Sequence, residues 1–146
     1  MRKNQIIQGE IGVWLEQFAA CVRERDFPGA RLLFAQDTHS FGTVERSMDS
    51  RAKLERAQWV RVWPRTSGFC FIRTGLRVVM SGDGGQAVVM ARWKACNDPA
   101  PARPVYDRRG RATVVLCRTG APGGWVAKHT HFSFDPQSLP KRTGSA

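Results

Sequence analysis

Pro64 divides this chain into two halves that obey different periodicities, and no other feature limits its fold as strongly. Before it, apolar side chains recur at helical spacing. After it, they recur in short strand-like runs between Gly- and Pro-marked turns. Ile7, Ile11, Trp14, Phe18 and Cys21 fall on one helix face. Gly9 and Gly12 weaken the first turns, which predicts that the firm helix starts near Ile11. Asp26 reads as the N-cap of a short second helix with Pro28 in its first turn. Asp37 to Thr43 is an extended connector or short strand. Asp49 or Ser50 caps a third helix that runs to Trp63, where Pro64 stops it.

Beyond Pro64, 69–73 and 76–81 form one broken strand, with a hairpin loop at Gly82–Gly85. Residues 86–96 make a long strand and 97–107 a proline-containing loop. Residues 111–118 and 125–134 are a second hairpin. Helices first and antiparallel strands after is the α+β order. One domain over residues 1–135 is expected, followed by a polar, mobile tail at 136–146.

Composition narrows the function classes. Apolar residues make up 42%, with five Trp and eight Phe, so the chain has material for a core without metal or disulfide. The four cysteines are far apart and show no metal-ligand spacing, which suits small buried hydrophobes. No apolar run is long enough to span a membrane, and polar residues interrupt any leader-like segment after Arg2 and Lys3, so a cytoplasmic location is expected. No cofactor or metal is implied.

The net charge is +11, and it is uneven. Residues 1–50 hold six Lys/Arg against seven Asp/Glu, and residues 51–146 hold seventeen against five. A basic half invites an anionic partner. Its cations are scattered singly, however, as in an arginine-rich bacterial gene product. No polybasic run or aromatic RNA-binding signature is present, so nucleic acid is not the expected partner.

Several segments resemble a known group. AACVRERDFPGARLLFAQD is similar to the first helical pair of SnoaL-like proteins, the polyketide cyclase and ketosteroid isomerase-like branch of the nuclear transport factor 2-like superfamily. GRATVVLCR and GGWVAKHTHFS resemble its last two strands. The same ending resembles the association domain of calcium/calmodulin-dependent kinase. The resemblance spans about residues 6–135. It implies a cone-shaped fold with three N-terminal helices on a curved antiparallel sheet around a pocket, usually in a homodimer. It does not imply one function.

Carried over residue by residue, the resemblance argues against ketosteroid isomerase chemistry. The oxyanion-hole tyrosine falls at Phe18 and the general base at Gly42. No Asp or Glu occurs from Arg108 through Phe134 to supply the second acid. Other polar groups remain. Asp37 and His39 share one side of an extended connector. His129 and His131, with Trp125, Ala127 and Ser133, share one face if the last strand is regular. An H-x-H pair can hydrogen-bond neighbouring strands, hold a metal, or act on a ligand. The strand QAVVMARWKA resembles the kinase-association strand that carries an inward arginine in an anion pocket, which places that role on Arg92. The alternatives are an exposed arginine or a buried ion pair. Trp59 and Trp63 share a helix face and suit either an aromatic wall or a plain core.

The expected function is therefore a pocket for a small organic, anionic molecule such as a carboxylate. Arg92, His129 and His131 would supply polarity, and Trp59 and Trp63 the walls. The alternatives are a lyase, isomerase or hydrolase on a small cyclic substrate, with His39 or His131 as acid–base and Asp37 orienting it, or a protein-interaction scaffold. With Arg92 inward, Ala87, Val89, Ala91 and Trp93 would form an apolar outer face, and a homodimer is expected to cover it.

Overall fold

The computed structural model describes residues 2–97 and 105–137. Helix α1 (Arg2–Glu24) lies across the sheet with Ile7, Ile11, Trp14, Leu15, Phe18 and Val22 buried beneath it. It starts well before Ile11, so the glycines do not end it. Gly12 has a positive use: a Cβ there would stand 2.8 Å from the Arg73 guanidinium, which donates to the Gly12 carbonyl at 2.9 Å. Helix α2 (Phe27–Arg31) opens as expected, with the Asp26 carboxylate accepting from Gly29 N at 2.9 Å.

The segment expected as an extended connector or short strand from Asp37 to Thr43 is a strand that starts earlier, β1 (Phe34–Phe41). Helix α3 occupies residues 51–65, with Ser50 Oγ accepting from Lys53 N at 3.1 Å. Its middle, Glu55–Trp59, is π-helical. The wider turn aligns Leu54, Trp59 and Trp63 on the buried side, at spacings of five and four.

Four strands follow: β2 (Ser67–Met80), β3 (Gln86–Cys96), β4 (Arg108–Arg118) and β5 (Trp125–Phe134). They form a five-stranded curved sheet in the order β1-β5-β4-β3-β2. Only β1 runs parallel to its neighbour, β5; the other pairs are antiparallel. Helices cover one face, so the core is one-sided. The tail expected at 136–146 lies outside the described residues from 138 onward, as do 98–104 of the expected loop.

The two faces of β3 are the reverse of the arrangement expected from the resemblance. Ala87, Val89, Ala91, Trp93 and Ala95 are buried against the helices. Met90 and Arg92 are exposed on the other side, with Val88 and Lys94 half-buried. Plain alternation places the continuous apolar row on the core. An inward Arg92 would instead have left a charge among aromatics and put Trp93 in water. The apolar outer face that motivated a homodimer is therefore the core face.

Candidate functional site

Between α3 and the inner sheet face lies a cavity of about 60 Å³. Phe18, Trp59, Trp63, Phe69, Trp93 and Phe132 wall it. Trp59 and Trp63 stack at 4.9 Å between ring centroids, and Phe18 meets Trp63 edge-on at 5.9 Å. This aromatic packing explains the small volume. About 60 Å³ holds a few waters. Organic ligand sites usually measure about 300 Å³ or more. A ligand of that size would have to displace rings.

The cavity's polar groups sit on its rim. Gln58 donates to Thr43 Oγ1 at 2.8 Å and accepts from Val44 N at 3.2 Å. Thr130 Oγ1 bonds Ser40 Oγ at 2.8 Å in the buried β1–β5 contact. Arg108 is the one cation among the lining residues. It continues the inward row of β4 formed by Gly110, Ala112, Val114 and Leu116. Its Nη1 donates to Thr66 Oγ1 at 2.7 Å, and its guanidinium lies 5.4 Å from the Phe134 ring centroid. Burial lowers its pKa, against a smaller opposite pull from Asp107. Among the described residues no carboxylate forms an ion pair with it.

Sequence reasoning missed Arg108 because it began this strand at Arg111. The signal was present: extending the period-two row back from Ala112 through Gly110 puts Arg108 inward.

Phe18 and Gly42 both line the cavity, in the places expected for the isomerase hydroxyl and base. A side chain at Gly42 would collide with Gln58. The lining contains neither histidine nor carboxylate among the described residues.

The remaining predicted residues divide between the sheet's faces. Trp59 and Trp63 are at the cavity. Arg92, His129 and His131 are not. A β-bulge places Ala127 opposite Leu116 and His129 opposite Val115, leaving Lys128 extra. Trp125 and Ala127 therefore face the core, and Thr130 takes the next buried place. His129, His131 and Ser133 go to the outer side.

His129 Nδ1 donates to the His39 carbonyl at 2.6 Å, tying β5 to β1. His39 Nε2 shares a 2.7 Å hydrogen bond with Ser47 Oγ. Asp37 instead pairs with Lys128 at 2.8 Å, which holds its carboxyl below the usual range. The His39–Asp37 acid–base couple is therefore not assembled. Arg92 and His131 do meet, but in an outer cleft described below. Among the described residues no group of three or more His, Cys, Asp or Glu gathers as metal ligands would. Cys21, Cys70, Cys96 and Cys117 are free, and two of them are only half-buried. No described helix is long and apolar enough to cross a membrane.

A helix-packed curved sheet closed on an aromatic cavity defines the nuclear transport factor 2-like class. Residues 12–136 match the SnoaL-like domain model, and the chain belongs to that family. A superfamily protein from Salmonella enterica serovar Typhimurium superposes with a TM-score of 0.72 at 16% identity, covering 98% of this chain and 99% of that one. A protein of this fold and unknown function from Pseudomonas putida gives 0.67 at 24% identity, over 94% and 91% of the two chains. ActVI-ORFA from Streptomyces coelicolor gives 0.63 at 18%, over 88% and 96%. These likenesses establish the fold. No curated protein sequence matches significantly.

Proposed function

We propose that this chain is a binding protein whose inner cavity takes a small organic anion, with Arg108 as its anchor. The observation that carries the reading is a half-buried guanidinium, the only charged group among the described residues lining a mainly aromatic cavity, with no carboxylate ion-pair partner among the described residues. Burying a cation without a counter-charge is costly, and a bound carboxylate supplies both charge and the planar two-pronged match. Trp59 and Trp63 provide the apolar wall. The anionic ligand expected from the sequence is retained, with its anchor moved from Arg92 to Arg108. Acid–base catalysis is not favoured, since the cavity lining presents no imidazole–carboxylate couple. One observation favours the scaffold reading: the cavity is nearly filled by its own rings, and Arg108 then only closes its rim.

A thermal-shift titration with benzoate separates the two. Binding only the folded state raises the melting temperature. Benzoate should stabilise the wild type and fail to stabilise Arg108→Ala, with Arg108→Lys intermediate because it keeps charge but loses the fork. No benzoate shift in wild type, with a large loss of stability in ligand-free Arg108→Ala, would leave Arg108 as architecture and the protein as a scaffold.

A further inference from the structure

We propose that the outer face of the sheet carries a second, independent site: a cleft for the phosphate group of a small phosphate monoester, gripped by Arg92 and Arg111. Cations that look scattered in the sequence are gathered by strand register. Arg92 stands opposite Arg111, and Lys94 opposite Arg109. On the next strand Ser133 lies opposite Arg111 and His131 opposite Thr113. The resulting cleft measures about 430 Å³ and is lined by Arg92, Arg111, Thr113, His131, Ser133 and Met90, among others.

Like charges directly opposite on neighbouring strands destabilise a sheet. Both arginines are exposed, and among the described residues neither joins an ion pair. Asp37, on the same side of the sheet, is held by Lys128. No carboxylate lines the cleft among the described residues. The cluster therefore has uncompensated positive charge and several donors aimed at one concavity.

Phosphate fits this better than a carboxylate. It carries about −1.5 to −2 charge near neutral pH and offers three acceptor oxygens. Two guanidinium forks, two hydroxyls and an imidazole are more than a two-oxygen monoanion can use. The volume lies in the usual range of small-ligand sites. An apolar row runs alongside, with Met90 38% and Val79 55% exposed and Val88 and Val115 half-buried between them. That row suits the organic part of a monoester and interrupts the track a long polyanion would follow.

Isothermal titration calorimetry with inorganic phosphate and with phenyl phosphate tests the site. Saturable binding is expected, tighter for phenyl phosphate. Arg92→Ala and Arg111→Ala should each weaken it at least about tenfold. Arg56→Ala/Arg61→Ala, which removes two exposed cations from α3, should leave it unchanged. Ligand-free Arg92→Ala should melt at or above the wild-type temperature, since it relieves repulsion; a fall would mark Arg92 as structural and overturn the proposal. So would no binding up to about 10 mM phosphate, or an equal loss in the α3 pair. A random-sequence oligonucleotide that displaced phosphate and bound more tightly would overturn the small-ligand assignment in favour of a polyanion surface. None of these outcomes depends on benzoate or Arg108.

Discussion

Strand β3 presents Ala87, Val89, Ala91, Trp93 and Ala95 to one side and Val88, Met90, Arg92 and Lys94 to the other. The same backbone thus builds two regions under opposite rules. On the inner side, aromatic rings fill space until little cavity remains, and the buried polar side chains are few: Ser40 and Thr130 bond each other, while Thr38 Oγ1 has no hydrogen-bond partner among the described residues. On the outer side, like charges are set opposite each other across strands, Arg92 to Arg111 and Lys94 to Arg109, and among the described residues none of these four cations joins an ion pair. Packing sets the first arrangement. The second opposes folding, and residues that cost stability without evident compensation are more often kept for binding. Packing thus accounts for the inner face and for the small cavity that Arg108 borders, whereas the outer face holds charge that packing does not explain.

The sharpest way to break this contrast is Phe18→Ala. Phe18 touches the rings of Trp14, Phe34, Trp63, Phe69, Phe71 and Phe132. Removing a buried phenyl costs about 3–5 kcal/mol, part of it from the void left behind. Urea unfolding should show that loss with an unchanged m-value. The enlarged cavity should also take up benzene, as dry apolar voids do. A loss below about 1 kcal/mol would mean that the ring cluster is not the centre of the core.

Thr130→Val is the next step down. It keeps shape but leaves buried Ser40 Oγ without its 2.8 Å partner, at a cost of about 1–3 kcal/mol. Ser40 Oγ still accepts from Thr130 N at 3.3 Å, so adding Ser40→Ala should recover only the part of the loss that exceeds this second bond. A double variant no better than the single one would show that the pair is not energetically coupled.

The inner face was largely legible in the sequence. Caps at Asp26 and Ser50 and the glycine-marked hairpins express local backbone chemistry, which a sequence displays directly, whereas Pro64 does not stop the third helix but sits inside a closing 3-10 turn, Trp63–Arg65. Phe18 and Gly42, matched by the resemblance to the isomerase tyrosine and base, both line the cavity. The candidate site was less legible, for two reasons. Inward placement of Arg92 followed a resemblance against plain alternation, and alternation won because it buries Trp93. The histidines were assigned a face by strict period two, which the bulge at Lys128 breaks; a bulge depends on pairing with β4 and leaves no local mark. Opposition of Arg92 and Arg111 is likewise a fact of register. Nineteen positions separate them in the chain, and only hairpin geometry brings them together.

Arg109→Glu sharpens the outer half of the comparison. It turns the Lys94–Arg109 pair into opposite charges and should add about 0.2–1 kcal/mol at low salt. The gain should shrink as salt rises. Lys94 Nζ already lies 4.2 Å from the Tyr106 ring centroid, so any loss would mean that pulling it from that ring costs more than the new ion pair returns.

The smallest effects expected are those of Glu55→Gln on the helix side and, below it, Asp37→Asn on the outer edge. Arg31 grips Glu55 through two bonds, Nε to Oε1 at 2.6 Å and Nη2 to Oε2 at 2.8 Å. The hydrogen bonds and charge of Arg31 hold the Glu55 carboxyl below its ordinary value. A carboxyl whose folded pKa is depressed contributes stability that is present above its unfolded value of about 4.3 and lost as pH falls through the folded one. Wild type should therefore melt higher than Glu55→Gln at pH 7, by no more than about 2 °C for a surface pair, and the two should converge in acid. The outer Asp37–Lys128 pair has the same sign, but Asp37 is more open to water than Glu55. Solvent screens it more, so Asp37→Asn should change the melting temperature less than Glu55→Gln does. If Asp37→Asn were the more costly of the two, the outer edge at β1–β5 would be contributing to the fold, and the division of labour between the faces would fail there first.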